Sequence, residues 1–500
     1  MLNARVNLIF YFLTLALSFF SRKIFLDTLG ADFVGLTGTL QNLLGFLNLA
    51  ELGIGSAIGY VLYKPLFDHD ETKINEIIPV FGYLYRWIGK IILIAGCILA
   101  CFLPLIFPNT EFELGLIFFA YFSFLASSLI GYFANYKQTL LGADQKNYVV
   151  TAYFQTATII KTIIQMALAY YTGNCYLWVI VELSLGIIYS FILNWKINQV
   201  YPWLRSEVSQ GRILFKKYPE VMKYTKQLFV HKFTTFIQFQ TTPFLIYAFV
   251  SLQTVAFYGN YTIITDKLSV FIGNLLGSTG AGVGNLIAEG DRNKIMKVFW
   301  ELLAIRFWFA GIFIFALYFL LEPFIILWLG KQYILNKSIL IILLCNVFIM
   351  QTRGVTDQFL YGYGLFRDVW APIAEAVIYL VVALIAGSCL GLKGVLLGGI
   401  ISMLIIVCGW KPVFLFKSGF HFPLYIYWFN WGKHLFLMFI TFIIGDYVVA
   451  LITIDPAENY WEWIKYAMCI TSIFVLMYTS VLSLFSQGMR SFLQRILRIK

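Results

Sequence analysis

Charge is scarce in this chain of 500 residues, and so are long polar segments. Only 12% of the residues are charged, 60% are apolar, and the mean hydropathy is +0.80. A composition this apolar excludes a water-soluble multidomain protein. The seven cysteines form no CxxC or Cys/His pattern, which argues against a zinc site or a disulfide framework. The longest connection between apolar runs is 199–223, so no folded domain outside a membrane is expected.

The chain has instead a succession of apolar runs of about 20 residues, the length that crosses a bilayer as a helix. Helices satisfy their own backbone groups, each of which would otherwise cost several kcal/mol in hydrocarbon. The predicted fold class is therefore an all-α polytopic membrane protein with about 14 transmembrane helices. The predicted spans are 6–27, 34–63, 76–107, 114–137, 147–172, 175–197, 224–249, 254–286, 296–329, 337–362, 369–390, 393–416, 427–451 and 460–487.

Lysine and arginine are distributed very unevenly over the predicted connections. With a cytoplasmic N-terminus, the outer connections hold only Lys331, Lys337, Lys393 and Lys465, whereas most other loop cations fall inside. This asymmetry follows the positive-inside rule and predicts that both termini are cytoplasmic. It also accounts for the net charge of +11 without nucleic acid as a partner.

The two halves of the sequence resemble each other weakly. VGLTG at 34–38 aligns with VAFYG at 255–259, and DETKI at 70–74 aligns with DRNKI at 291–295 without a gap. We infer a duplicated six-helix unit, with lobes at 1–215 and 216–425 followed by two extra helices and a basic tail at 426–500. Two lobes in parallel repeat with a cleft between them are typical of alternating-access transporters. Chance similarity between apolar helices is the alternative interpretation.

Polar side chains recur along one face of several predicted spans and predict a wet cavity. Arg22 ends such a stripe on the first helix, and Gln41 lies in one on the second. Cations outnumber anions within the spans, so we expect an anionic passenger. The predicted substrate-binding residues are Arg22, Lys23, Gln41, Asn48, Lys161, Gln238, Arg306 and Arg353. Arg22 and Lys23 could instead be interface anchors, since long cationic side chains extend toward headgroups.

Four carboxylates within the spans are candidates for coupling transport to an ion, either a proton or sodium. They are Glu51, Asp266, Asp357 and Glu375. Two of them have a structural alternative. Asp357 lies four residues after Arg353, where the two charges could simply neutralise each other. Asp266 could equally make a hydrogen bond between helices.

Three stretches carry a family resemblance: RKIFLDTLGADFVGL at 22–36, NLAELGIGSAIG at 48–59 and LYKPLFDHDETKI at 62–74. The turn LLGADQKNY at 140–148 fits the same pattern. Together they resemble the multidrug/oligosaccharidyl-lipid/polysaccharide (MOP) exporter superfamily, and in particular its Wzx-type flippases of the polysaccharide transporter family. The resemblance implies two six-helix lobes around a V-shaped central cavity in the bacterial inner membrane.

The resemblance also implies a cargo and a set of partners. The cargo would be an undecaprenyl-diphosphate-linked oligosaccharide, moved from the cytoplasmic to the periplasmic leaflet without cofactor, metal or catalytic residues. The partners would be the lipid bilayer, a polysaccharide polymerase and a chain-length regulator. Arg22 matches an arginine essential in flippases of lipid-linked cell-wall precursor, but Lys23 replaces the acidic neighbour often found there. The sequence is therefore more similar to O-antigen or capsule flippases.

Two other functions are compatible with a membrane protein of this composition. A multidrug or cation extruder of the same superfamily would need a mainly acidic and aromatic cavity. A polymerase or glycosyltransferase acting on lipid-linked sugars would need outer carboxylates, for which only Glu111 with Glu113 and Asp455 with Glu458 are candidates. A purely structural membrane protein is the remaining alternative.

Overall fold

The chain folds almost entirely into helices. The computed structural model describes residues 2–47, 51, 54, 61–62, 65–66, 68–108, 110–144, 146–205, 207–218, 222, 225, 237, 240–277, 283, 286–287, 289–365 and 368–497. Those residues contain no β-strand, and they fall into two compact units, Met1–Ala256 and Phe257–Lys500. The predicted class, an all-α multi-pass membrane protein, is confirmed.

The first unit contains six long helices. They are α1 (Leu2–Leu29), α2 (Ala31–Leu47), α3 (Glu71–Ala100), α4 (Leu114–Phe133), α5 (Asn147–Thr172) and α6 (Cys175–Val200). Short helices at Leu103–Ile106, Gln138–Ala143 and Gly211–Phe215 and a 3-10 turn at Val208–Gln210 lie in the connections. Residues 240–249 are helical as well.

Local sequence signals set the ends of these helices. Asp70 accepts a hydrogen bond from the Lys73 backbone amide at 3.0 Å and so caps α3. That bond to the charged form lowers the pKa of the Asp70 carboxyl. Asn174 caps α6 through the amide of Tyr176 at 2.8 Å. Gly173, with φ of +58°, makes the tight turn between α5 and α6, a conformation that glycine adopts without steric cost.

An aromatic cluster packs α1, α2 and α6 together. The Trp178 ring of α6 meets Phe33 of α2 edge-on at 5.6 Å and Phe25 of α1 at 5.7 Å between ring centroids. Edge-to-face pairs of this kind stabilise packing by about 0.5–1.5 kcal/mol beyond area burial. The cluster holds the helices that carry Arg22 and Gln41 beside α6, which carries Glu182.

The second unit contains the remaining long helices. They are α7 (Leu252–Gly277, which begins in the first unit), α8 (Arg292–Trp328), α9 (Lys337–Thr352), α10 (Gly354–Gly362), α11 (Trp370–Leu390), α12 (Leu392–Met403), α13 (Tyr425–Val449), α14 (Tyr460–Phe485) and α15 (Gln487–Leu497). Asp291 caps α8 by accepting from the amides of Asn293 and Lys294 at 3.0 and 3.1 Å.

The helix that starts with α12 continues to residue 420 through wider turns. π-helical segments at Leu404–Trp410 and Phe416–Phe420 flank a short α-helix at Lys411–Leu415. Pro412 has no backbone amide hydrogen, so a regular α-helical bond cannot form there. Such π-bulges often occur at functional sites. Here they place Lys411 toward α10.

Aromatic packing also organises the second unit. Phe315 of α8 stacks on Phe474 of α14 with 3.9 Å between ring centroids and an interplanar angle of 9°. One helical turn away, Gly311 leaves room for the buried Tyr478 ring, because a Cβ at Gly311 would lie 2.6 Å from Tyr478 Cε1. These contacts pack α14 closely against α8.

The C-terminal segment was expected to be a basic tail, and it is a separate helix. Ser486 caps α15 by accepting from the Met489 amide at 3.3 Å, and the Met489 side chain is buried. Arg495 Nη2 lies 3.0 Å from Glu301 Oε2 of α8. Helix α15 is therefore a short amphipathic helix docked onto α8.

The predicted spans agree with the helices where the structure describes them. Ten helical segments in the described part of the chain are long and apolar enough to cross a membrane, judged by length and composition. Helix α5 matches the predicted span 147–172, and α7 begins just before the predicted span 254–286. Both are more polar than those ten segments and are not counted among them. The predicted lobes 1–215 and 216–425, the extra region 426–500 and the central cavity stay predictions.

Candidate functional site

A polar cavity of about 260 Å³ lies within the first unit, between α1, α2, α5 and α6. Its polar lining residues are Arg22, Thr37, Gln41, Thr158, Lys161, Thr162, Gln165 and Glu182. Its apolar wall includes Leu29 and the aromatic cluster of Phe25, Phe33 and Trp178 that packs α1, α2 and α6 together. Three residues that the sequence predicts to bind substrate, Arg22, Gln41 and Lys161, are thus brought together.

Arg22 and Lys23 have different surroundings although they are adjacent in sequence. The Arg22 side chain is partly buried, lines the cavity and donates from Nη2 to the Ala256 carbonyl oxygen at 2.7 Å. Lys23 is exposed and is not part of the cavity wall. Successive residues on a helix point about 100° apart, so only one of the two can face this cavity.

An ion pair between α5 and α6 forms the charged part of the cavity. Lys161 Nζ lies 2.6 Å from Glu182 Oε1, with side-chain exposures of 23% and 16%. Gln165 donates from Nε2 to Glu182 Oε2 at 3.0 Å and to the Trp178 carbonyl oxygen at 3.2 Å. Both carboxylate oxygens therefore have a partner, while an ammonium group carries three donor hydrogens. Lys161 retains donors for a ligand.

A second cavity of about 540 Å³ adjoins the first and lies between α4, α5 and α6. Thr158, Lys161 and Glu182 line both cavities. The lining positions on α5 run from Val150 to Gln165. At 1.5 Å per residue this corresponds to about 22 Å along the helix. The ion pair thus lies where two polar spaces meet.

The charges of the first cavity suit an anionic group. Arg22 and Lys161 contribute positive charge, and Glu182 contributes the negative charge among the lining residues. The Glu182 charge is offset by its contact with Lys161, so the wall is basic near Arg22. Guanidinium groups bind phosphate oxygens with charge-assisted hydrogen bonds. Thr37 and Gln41 add uncharged hydrogen-bonding groups beside them.

Comparison with known proteins bears on the fold. No protein-family model and no curated protein matches this sequence. A solved structure of the lipid II flippase MurJ in an inward closed conformation has a TM-score of 0.66 and 15% identity, covering 95% of this chain and 98% of its own. An inward-facing multidrug resistance MATE family transporter of the MOP superfamily has a TM-score of 0.62 and 16% identity, covering 83% of this chain and 99% of its own.

The chain shares the fold of these two transporters. The resemblance inferred from the sequence is therefore confirmed for the fold. The narrower assignment to the Wzx-type flippases stays a prediction.

Within the second unit, four predicted residues lie near one another in a charged cluster. Asp357 Oδ2 accepts from Arg353 Nε at 2.9 Å, and its Oδ1 accepts from Lys411 Nζ at 2.8 Å. Glu375 is buried, with Oε1 4.0 Å from Arg353 Nη1. The alternative interpretation of Arg353 and Asp357 as mutually neutralising charges matches this geometry.

Arg306, the fourth of these residues, is buried beside the same cluster. Its Nη1 donates to the Gln351 carbonyl oxygen at 3.4 Å. Gly354 provides the space for the guanidinium, because a Cβ there would lie 2.4 Å from Arg306 Nη1. The guanidinium of Arg306 thus explains why α10 begins with a glycine. Whether Arg306 and Arg353 contact substrate stays a prediction.

The remaining predicted residues differ in how they are engaged. Glu51 accepts hydrogen bonds from Tyr132 at 2.7 Å and from Tyr85. Asp266 is exposed on α7. Asn48 and Gln238 lie outside the described residues.

The first cavity also contains two polar residues that were not predicted from the sequence, Glu182 and Gln165. A sequence pattern could have identified them. Lys161 and Gln165 are four residues apart and so share one face of a helix, and the next predicted span contains the carboxylate of Glu182.

Proposed function

We propose that this protein is a flippase for undecaprenyl-diphosphate-linked oligosaccharides of the O-antigen or capsule type. It moves them from the cytoplasmic to the periplasmic leaflet of a bacterial inner membrane by alternating access. The observation that carries the proposal is the cavity in which Arg22 and Lys161 meet amide and hydroxyl side chains. Cytoplasmic termini and association with a polymerase and a chain-length regulator belong to the same proposal.

The cavity that contains Arg22 and Lys161 offers hydrogen-bond donors to a diphosphate, which finds none in hydrocarbon. A diphosphate carries charge that loses its water on entering the membrane, and charge-assisted hydrogen bonds replace part of that hydration. Arginine is the side chain best matched to phosphate, because its planar group presents several donors in a fixed geometry. The polyprenyl tail needs no polar partner and stays in lipid.

An extruder of organic cations is the second candidate, and one of the similar structures is a multidrug resistance transporter. The cavity charges disfavour this function. Glu182 is already paired with Lys161, and Arg22 would repel a cationic substrate. We therefore place the anionic lipid first.

Deletion of the gene tests the proposal. The expected result is accumulation of complete lipid-linked repeat units on the cytoplasmic face of the inner membrane, reversed by the wild-type gene. Accumulation of unpolymerised units on the outer face would indicate a polymerase instead. Unchanged lipid-linked oligosaccharide together with increased sensitivity to cationic drugs would indicate an extruder.

A further inference from the structure

The second cavity has a different chemical character from the first. Amide and hydroxyl side chains dominate its polar wall, including Asn135, Gln138, Thr151 and Gln155, and the Phe154 and Tyr189 rings form an aromatic corner. These rings meet edge-on with 5.4 Å between centroids. A volume of about 540 Å³ lies within the range of roughly 300–1,000 Å³ typical of small-molecule sites.

Two of the amides in this wall have no protein partner among the described residues. Asn135 is held in place, because its Oδ1 accepts from Ser190 Oγ at 2.7 Å and from Asn194 Nδ2 at 3.0 Å. The side chains of Gln138 and Gln155 make no such hydrogen bond within the part of the chain that the structure describes. A polar group in an apolar environment costs free energy unless it is hydrogen-bonded. Water or a hydroxylated ligand must therefore satisfy these amides.

Carbohydrate is the ligand class that this wall fits. A sugar hydroxyl both donates and accepts, as does a glutamine or asparagine amide. The apolar C–H face of a sugar ring packs on aromatic rings such as those of Phe154 and Tyr189. Among the described lining residues, the full charges are those of Lys161 and Glu182, and these are paired with each other. The wall therefore presents no unpaired full charge to a ligand, which suits an uncharged one.

We propose that the second cavity is a saccharide-binding subsite, joined at Lys161 to the phosphate-binding cavity that contains Arg22. The inference rests on the proposed function, because that function supplies a cargo with sugar next to diphosphate. Phosphate at the Arg22 end then places the first sugars along α5 toward Gln155 and Gln138. This assigns Gln138 and Gln155 as residues that bind the oligosaccharide.

The first test measures binding without transport. Thr151→Cys is introduced into the full-length protein with its seven native cysteines replaced, and labelling by a water-soluble maleimide is followed in detergent. The probe is the repeat-unit oligosaccharide released from the lipid by mild acid. We expect it to slow labelling about fivefold, whereas inorganic pyrophosphate has little effect. Glu207→Cys, on an exposed residue outside the cavity, is the control and should be unaffected. If the oligosaccharide does not change the labelling rate of the Thr151→Cys variant, the proposed subsite is wrong.

The second test uses transport in proteoliposomes. Gln155→Leu should lower flipping of the lipid with a complete repeat unit about fivefold, and flipping of undecaprenyl diphosphate with one sugar less than twofold. Ile160→Leu, on the exposed face of α5 outside both cavities, is the matched control and should affect neither lipid. Equal effects of Gln155→Leu on both lipids overturn the subsite. A wild-type protein that flips neither lipid refutes the proposed function, while the labelling result still reports on saccharide binding.

Discussion

Lys161 and Glu182 approach to 2.6 Å at the junction of two polar cavities, and both side chains line both spaces. Lys161 can therefore be reached from both cavities.

Neutral substitutions of Lys161 and Glu182 can show whether their ion pair serves stability alone or also transport. Glu182→Gln alone should destabilise the protein by about 3 kcal/mol, because Lys161 then lacks its anion at a largely buried position. Lys161→Met combined with Glu182→Gln should restore most of that stability, yet flipping should remain at least tenfold below wild type. Thermal unfolding in detergent and flipping in proteoliposomes provide the two measurements. Wild-type transport by the double variant would assign the pair a structural role only.

Substitution of neighbouring cations tests the assignment of the phosphate site. Arg22→Ala should reduce flipping about tenfold or more, since a charge-assisted hydrogen bond is lost. Arg22→Lys should recover part of the rate, because the charge returns without the planar donor geometry. Lys23→Ala is the matched control and should transport nearly normally, since that side chain lies outside the cavity wall. Greater loss in Lys23→Ala than in Arg22→Ala, at equal protein abundance, contradicts this assignment.

The charged cluster of the second unit should control stability. Asp357→Asn leaves Arg353 and Lys411 without their shared anion, so we expect a loss of about 3–5 kcal/mol in unfolding free energy. Asp446→Asn changes an exposed carboxylate on α13 and should have little effect. Fluorescence-detected thermal unfolding compares the two. Similar melting temperatures for both variants would mean that the cluster does not stabilise this unit.

Asp266 is the predicted coupling residue with the greatest exposure, whereas Asp357 is held by two cations and Glu51 by two tyrosines. Asp266→Asn should therefore abolish stimulation of flipping by an imposed proton or sodium gradient. Flipping down a lipid gradient should continue at a comparable rate. The measurement is flipping in proteoliposomes with and without each ion gradient. Stimulation that persists in Asp266→Asn excludes this carboxylate as the coupling group.

The docking of α15 onto α8 can be disturbed by one methyl group. A Cβ at Gly488 would lie 2.3 Å from the Trp300 carbonyl oxygen, so Gly488→Ala must displace α15. We expect faster proteolysis of the C-terminal segment and a lower melting temperature. Gly432→Ala on α13, where a Cβ meets nothing within 4 Å, should be neutral or stabilising by about 1 kcal/mol. Equal protease sensitivity of the two variants would contradict this packing.

Hydrophobic length predicted most helices, because it depends on residues that are close together in the sequence. The exact ends, at the capping residues Asp70 and Asn174 and at Gly173, come from the structure. The partner of Lys161 was not predictable in the same way. Glu182 lies on a different helix, and only the packing of α5 against α6 determines which residues face each other. Short-range spacing therefore identified Arg353 with Asp357, but not Lys411 as their third member.

The C-terminal segment escaped prediction for another reason. Its basic residues led to the prediction of a basic tail, and the apolar face becomes significant only where α8 offers a surface for Met489. The contact of Arg495 with Glu301 likewise joins residues far apart in sequence.

The 37 residues of α8 have a consequence for the surrounding lipid. At 1.5 Å per residue the helix is about 55 Å long, well beyond a hydrocarbon layer of about 30 Å even with an ordinary tilt. Its first turns, with Arg292, Lys294 and Lys297 exposed, must therefore emerge from the hydrocarbon. Trp300 and Glu301, on which α15 rests, lie just beyond those turns. The acyl-chain length of the lipid therefore sets how far the headgroup region extends along α8 toward its contact with α15.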